Sequence, residues 1–586
     1  MNKIVGGSFL VQEADLNRIV TPEDFTEEQR MIAQLADDFV RNELEPLEEE
    51  MEHQLNVELT KEKLRTAGEL GLLSAEVPER YEGLDVDKVS ALLINEKIVR
   101  ATSFFISYGG QTGIGSLPIV FFGNDEQKRR YLPGIAAGEK LAAYALTEAS
   151  SGTDALGAKT HAKLSGDGAY YILNGTKQFI SGSSFADVFI VFAKVNGTDF
   201  SAFIVERSFD GLHIGPEEKK MGLKGSSTCS LTLEDVKVPV ENLLGEVGKG
   251  HLIAFNILNL GRLKLAAGGL GLSKAAIEIS AAYANERKQF DRPIASFPLI
   301  GKKLADMNIR TFALESMIYR TAGLLDEGLS VLDHSHPNVD SLSAKAISEY
   351  ALECSINKVF GSEVLDFVVD EGLQIHGGYG YIQEYRIERM YRDSRIFRIF
   401  EGTNEINRML IPDTLVKRAF KGELPLLEKP GELQSVPSSS AGETLELEAR
   451  LIANAKHTFQ WLLAQAVQRY DKKLSQEQEI AGNLADIVIS IYAMESVLLR
   501  TKKMMARTRE DQARHAIQMT IAFVHETVDR IASWAKEMIC AVLSGDALLA
   551  ALAALTKATA SVPAVNLIDL KRSVASRVID AEKYVV

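Results

Sequence analysis

Apolar residues recur at intervals of three and four through the first part of the chain. Phe25, Met31, Ile32, Leu35, Phe39 and Val40 form one such stripe, and Thr26 followed by Glu27 and Glu28 supplies a helix start. The spacing predicts further helices over 64–72, 89–99 and 125–137, punctuated by Pro78 and Pro118. A helical domain is expected over residues 1–143. The pattern then changes. Between about 158 and 245 apolar and polar residues alternate, with turn signals at Gly166-Asp167-Gly168, Asn174-Gly175 and Asn196-Gly197. This predicts a small antiparallel sheet or barrel, with the middle domain spanning 144–246. Helical spacing returns near His251 and holds to about Arg418, as in Ile277, Ala281, Ala284 and in Leu304, Met307, Thr311, Leu314, with a third long helix over 341–371. Long helices with short connections predict a four-helix bundle over 247–420. Pro425, Pro430, Gly431, Pro437, Ser438, Ser439, Ser440 and Gly442 mark a linker over 421–444. A second helical domain follows over 445–586, where Ile517, Ile521, Val524, Val528 and Ile531 form a stripe read as a bundle core or, alternatively, as an interface with another subunit. The fold class is mainly α with a central β domain.

The chain has 586 residues, too many for one compact core, and its 46% hydrophobic and 25% charged content is that of a globular protein. A net charge of -15 argues against a nucleic-acid partner, which requires basic surface. Cys229, Cys354 and Cys540 are dispersed, with no CxxC pair, so no metal site or disulfide framework is expected and a reducing cytoplasm is the expected location. Cys354 lies on an apolar helical stripe and reads as core. The N-terminus carries Glu13 and Asp15 and no charged head followed by an apolar run, so neither a signal nor a transit peptide is expected. The longest apolar run, 547–555, is far shorter than the ~20 residues a membrane span needs, and no transmembrane segment is expected.

Two glycine clusters, Gly110/Gly113/Gly115 and Gly268/Gly269/Gly271, lack the strand-to-helix context of a dinucleotide fold; the second reads as a place of close helix approach. Tyr144 to Asp154 combines hydroxyls, a glycine and backbone donors, and such a loop serves either as a connector or as a cradle for a flavin or phosphate. Phe179-Ile180-Ser181 reads as a strand with a core phenylalanine or as an aromatic platform beside a hydroxyl. His376, between Ile375 and two glycines, is a base in one reading and structural in the other. Glu401 follows Ile399 and Phe400 and precedes Gly402. An apolar setting destabilises a charged carboxylate and tunes it toward proton abstraction. The alternative is a surface residue at the edge of a core.

In this order and separation, residues 144–154, Lys177 to Gly182, Asn285 to Ile294, Gln374 to Gly380 and Glu401 to Glu405 resemble the acyl-CoA dehydrogenase family. The resemblance covers about residues 25–415. It implies FAD as cofactor and Glu401 as the base that removes the substrate α proton. It assigns Tyr144, Leu146, Thr147, Gly152, Thr153, Phe179 and Ser181 to the flavin side. Arg287, Gln374 and Gly378 go to the FAD of a neighbouring subunit, and Gln289, Phe290, Gly377, Thr403 and Glu405 to further cofactor contacts. Thr153, Asn259, Arg262 and Gly402 are the implied substrate contacts. Three positions depart from the usual pattern: Phe179 stands where tryptophan is frequent, Asp291 where glycine is common and Glu405 where glutamine is frequent. Some members carry the base on the helix before the arginine equivalent to Arg262, but Gly261 occupies that position here.

The C-terminal helical domain, with Met221 to Ser226 and Asn259 to Arg262, is most similar to the very-long-chain branch. That resemblance implies dehydrogenation of acyl-CoA to trans-2-enoyl-CoA in fatty-acid β-oxidation, a homodimer, and an electron-transfer flavoprotein as acceptor. An acyl-CoA oxidase using oxygen, and a non-catalytic scaffold on the same fold, are the competing functions. Tyr108 to Ser116 matches the floor of the acyl pocket in relatives. There Gly113 and Gly115 imply depth for long chains, while Pro118 is expected to bend the helix and limit that depth.

Overall fold

The computed structural model describes residues 4–428, 433, 444–508, 510–560 and 564–586. Pro430, Gly431, Pro437, the serines at 438–440 and Gly442 of the expected linker lie outside the described residues. Contacts group the chain into two units. One is Thr26–Gly271 with Leu325–Ser348; the other is Met1–Phe25, Leu272–Leu324 and Glu349–Val586.

The first unit opens on the helix Glu27–Phe39, where the Thr26 hydroxyl accepts from the Gln29 N–H and the Gln29 side chain returns the bond in a capping box. Asn124 and Gln127 cap Asp125–Ala136 in the same manner, and the Asp87 carboxylate caps Lys88–Ile98 by accepting from the Ser90 N–H. The helix Thr102–Gly109 runs directly into a π-turn, Gly110–Gly115, and then into Leu117–Phe122. Pro118 lies in the first turn of that last helix, where its missing N–H has no partner to lose, so it starts a helix rather than bending one.

Eight strands follow: β1 (Ala142–Ala145), β2 (His161–Leu164), β3 (Tyr170–Ser181), β4 (Val188–Val195), β5 (Asp199–Glu206), β6 (Leu212–Ile214), β7 (Thr228–Pro239) and β8 (Leu243–Leu244). Their order is β6-β7-β3-β2-β4-β5-β8, with β1 added beside β4. The ladders are antiparallel except β1–β4 and β2–β4, which are parallel. Leu173, Phe189, Val191, Phe203, Val205, Leu231 and Val236 fill one face. Asn196 and Gly197 both take positive φ and turn β4 into β5 as expected. Asn174-Gly175 does not form a turn. It lies inside β3 at a register shift against β7, where Asn174 bonds both the side chain and the backbone N–H of Asp235, itself at positive φ.

The helix Gly250–Glu286 begins in this unit. A Cβ on Gly271 would lie 2.0 Å from the Glu96 carbonyl oxygen, and one on Gly268 would lie 2.8 Å from the Phe105 ring. The glycine cluster therefore serves close helix packing.

The second unit carries Pro298–Ser330 as far as Leu324, Ala351–His376 and Asn404–Phe420, then the C-terminal helices Glu446–Tyr470, Gln478–Arg507, Glu510–Val542, Gly545–Ala558 and Leu567–Ala581. The helix expected over 341–371 is divided into Val339–Ser348 and Ala351–His376. At the break, Glu349 accepts from the Gly6 N–H and Arg418, and the Tyr350 hydroxyl donates to the Ile4 carbonyl. The N-terminal segment continues this docking. Gly7 N–H donates to Glu353, Gln460 to the Leu10 carbonyl, and Arg500 to Glu23. Gln478–Arg507 is long and apolar enough to cross a bilayer, and 83% of its most apolar stretch is buried inside the protein. Val524, Val528 and Ile531 are buried, as a bundle core requires, and Cys354 is buried as expected.

Candidate active site

The first unit presents one group of the expected residues. Tyr144 and Leu146 are buried at the end of β1, where the edge of the Tyr144 ring meets Phe192. The loop that follows is closed by reciprocal Glu148–Ser151 backbone bonds, which leave Gly152 and Thr153 exposed. Thr147 accepts from the Gln178 N–H through its carbonyl, joining this loop to the end of β3.

Beneath the loop lies a pair that the sequence pattern did not reveal. Lys177 is fully buried and donates to the Leu146 carbonyl at 3.1 Å and to Glu148 at 2.8 Å. Glu148 also accepts the Lys159 and Thr160 N–H groups. Burial opposes its charge, but the Lys177 ammonium and these donors hold its carboxyl down at about 2.

Of the two readings of Phe179, the core ring is the one the structure does not show. The residue has φ 59°, outside the β region, and its side chain is 60% exposed. A non-glycine residue held there costs about 1–3 kcal/mol, a form of strain that concentrates at ligand sites. Its result is a flat apolar face turned outward, with the partly buried Ser181 two residues on. In the same unit Asn259 and Arg262 are buried on the Gly250–Glu286 helix and bonded to each other at 3.0 Å.

The second unit presents two further groups. In the first, Arg287 lies over the Tyr379 ring at 5.3 Å, and His376 stacks on Tyr283 while its Nδ1 meets the Gly372 carbonyl at 2.8 Å. Burial pushes the His376 imidazole below its ordinary pKa, and its contacts are those of a structural residue. Gln374, Gly377 and Gly378 are exposed beside it. Gly377 has φ +60°, and nothing lies within 4 Å of a Cβ on either glycine. Gln289 and Phe290 extend from the short hairpin Lys288–Gln289/Arg292–Pro293, with the Phe290 ring 87% exposed. Phe290 and Asp291 both take positive φ in its two-residue turn, which explains why glycine suits the position of Asp291.

The last group surrounds Glu401. Glu401 and Gly402 take φ 57° and 81°, turning the chain sharply into the helix Asn404–Phe420, which the Thr403 hydroxyl caps by accepting from Ile406 N–H. The carboxylate atom Oε2 of Glu401 is buried. Two side chains absent from the sequence reading hold this loop. Lys358, fully buried, donates to the Gly402 carbonyl at 2.7 Å and to Asn404 at 2.8 Å. Asn407 Nδ2 reaches the Gly402 carbonyl at 2.9 Å and the Thr403 carbonyl at 3.1 Å. Glu405 is exposed in the first helical turn, where its own N–H holds its carboxyl below the usual range.

In the first unit, the exposed aromatic face of Phe179 and the backbone and hydroxyl groups of the 146–148 loop fit a flat ring. In the second unit, Gly377 and Gly378 leave room for close backbone approach, which fits a phosphate.

The chain matches the acyl-CoA dehydrogenase N-terminal domain over residues 26–139, the middle domain over 143–236, one C-terminal domain over 248–416 and a further C-terminal domain over 454–557. It is 53% identical over 587 residues to a probable acyl-CoA dehydrogenase of Bacillus subtilis, covering 99% of this chain and 98% of that one. It is 35% identical over 472 residues to the mitochondrial very long-chain specific acyl-CoA dehydrogenase of Homo sapiens, covering 75% of this chain and 69% of that one. The crystal structure of an acyl-CoA dehydrogenase complexed with FAD from Bacillus anthracis superposes with a TM-score of 0.97 at 53% identity, each chain covered over 100% of its length. The chain belongs to the acyl-CoA dehydrogenase family and is an FAD-dependent oxidoreductase with an additional C-terminal helical domain.

Proposed function

We propose that this protein dehydrogenates long-chain acyl-CoA thioesters to trans-2-enoyl-CoA in fatty-acid β-oxidation in the cytoplasm, with Glu401 as the base. The observation that carries the reading is the local build of Glu401. Its backbone is in a strained conformation, Oε2 is buried, and Lys358 and Asn407 fix the carbonyls that follow it.

In this reading the Glu401 carboxylate takes the α proton of the thioester, and the C–H pair becomes the new double bond. The Glu401 N–H donates to the thioester oxygen as enolate charge develops there, an oxyanion-hole arrangement. When bound, FAD accepts the β hydride. Thr147 and Ser181 hold the ring edge, and Phe179 covers its face. Arg287, Gln289, Phe290, Gln374, Gly377 and Gly378 hold the FAD of a second subunit, which makes the protein a homodimer. The exposure of Gln289, Phe290, Gln374, Gly377 and Gly378, with the half-buried Arg287 over the Tyr379 ring, supports this reading. Asn259, Arg262, Thr153 and Gly402 position the substrate, and an electron-transfer flavoprotein takes the electrons.

The long-chain assignment rests on the glycines of residues 109–113. A Cβ on Gly109 or Gly110 meets nothing within 4 Å, and one on Gly113 meets only Lys264, at 3.9 Å. Gly115 does not belong to this open face, because its Cβ would lie 2.6 Å from the Gly110 carbonyl oxygen and 2.8 Å from Ala142.

Anaerobic titration of the yellow holoenzyme with saturated acyl-CoAs of increasing length tests the reading. Bleaching that strengthens toward long chains supports it. Bleaching with short chains only, or with none, overturns it, and oxygen consumption during turnover would identify an oxidase instead.

A further inference from the structure

The open glycine face ends on a charged side chain. The π-turn Gly110–Gly115 displaces backbone groups from ordinary helical pairing, and the Thr112 carbonyl accepts from Lys264 Nζ at 3.1 Å. Gln111 pins the opposite side of the turn by donating to the Ile135 and Lys140 carbonyls and accepting from Ala142 N–H. The stem and ammonium of Lys264 stand opposite Gly113, each 3.9 Å from where a Cβ would lie.

Lys264 is itself fixed. It pairs with Glu76, which also accepts from Lys88 at 2.7 Å, and all three side chains are buried. Burial opposes the charge on Glu76, but the two ammonium groups hold its carboxyl at about 2. Beside the triad lies a small cavity, otherwise lined by Ala91, Leu92, Leu260, Leu263 and Leu325. A charged side chain thus stands where Gly113 opens space on one side and an aliphatic cavity lies on the other.

We propose that Lys264 is the stop that sets the length of acyl chain accepted, closing the glycine-faced pocket from the aliphatic cavity behind it. The proposal rests on the long-chain dehydrogenase reading above and adds the residue that ends the pocket. A terminal methyl can pack along the lysine stem but cannot displace an ammonium already paired with Glu76 without stranding that charge.

The test is kcat/KM across a ladder of saturated acyl-CoAs for wild type, Lys264→Ala and Lys264→Met. In Lys264→Ala, Glu76 keeps Lys88 as a one-to-one partner. Its optimum is expected to move longer by about two to four carbons, with a gain of up to about fourfold per added methylene. Lys264→Met keeps the stem length and is expected to hold the wild-type optimum, although it loses the same hydrogen bonds. An unchanged optimum in Lys264→Ala overturns the proposal, as does an identical shift in both variants, which would reveal bracing alone. If Lys264→Ala is insoluble, Lys264→Val, also short and apolar, decides: a longer optimum supports the stop and an unchanged profile refutes it. A wild-type enzyme that turns over no acyl-CoA would sink the dehydrogenase reading itself, a result distinct from an active enzyme with unmoved specificity.

Discussion

Replacing Lys358 by methionine isolates the brace behind Glu401. The ammonium makes two charge-assisted bonds, to the Gly402 carbonyl at 2.7 Å and to Asn404 at 2.8 Å. Bonds to charged groups are worth about 1.5–3 kcal/mol each, and part of that offsets the cost of burying the ammonium. Asn407 continues to hold the Gly402 carbonyl. The net loss should be about 2 kcal/mol, similar to the strain of holding Glu401 at φ 57°. If that strain relaxes when the brace goes, the reactive placement of the carboxylate is disfavoured by about 30-fold, since 1.4 kcal/mol is a factor of ten. Anaerobic stopped-flow reduction of bound flavin should slow by that order in Lys358→Met, with FAD content and acyl-CoA affinity near wild type. A variant that unfolds at lower temperature yet reduces its flavin at the wild-type rate would refute the reasoning, because Lys358 would then support stability alone.

Other consequences follow from the buried charges. Lys177→Met leaves Glu148 buried without its ammonium and should cost about 3–5 kcal/mol in denaturant unfolding, with loss of FAD; Lys177→Met/Glu148→Gln should recover much of it, and a double variant no better than the single would contradict the pairing. Burial pushes the Glu353 carboxyl up to about 7 from 4.5, against the pull of the Gly7 N–H. Between those values the folded state binds more protons than the unfolded chain, so this group's contribution falls as pH rises through the window, by a few kcal/mol in all. Glu353→Gln keeps an acceptor for Gly7 and should flatten that decline, whereas an unchanged stability–pH slope would show that Glu353 does not titrate there. Arg287→Ala should bind FAD weakly without loss of fold, as seen by cofactor retention on gel filtration; full retention would argue against the second-subunit assignment.

Much of the architecture was legible because it rests on local rules. The Thr26 cap, the Asn196-Gly197 turn and the return of helical spacing at His251 each follow from residues close in sequence. Asn174-Gly175 misled because the same dipeptide that favours a turn also suits a bulge, and only Asp235 on the partner strand decides between them. The break at Glu349–Tyr350 depends on residues 4–7, more than 340 positions away. Candidate site residues stood out where their chemistry was unusual for their surroundings, as with Glu401 between apolar residues and glycine. Lys177 and Lys358 did not, since a lysine in sequence reads as solvated and only tertiary packing supplies its buried partners. Gly113 and Gly115 look alike in sequence and differ only in what a side chain would meet.

The central claim is that Glu401 removes the α proton. Glu401→Gln preserves shape, and its purified holoprotein should carry FAD at the wild-type ratio. Mixed anaerobically with a long-chain acyl-CoA, it should bleach at least ~10²-fold more slowly than wild type, the scale of general-base catalysis. Bleaching at a rate near that of wild type would contradict the account.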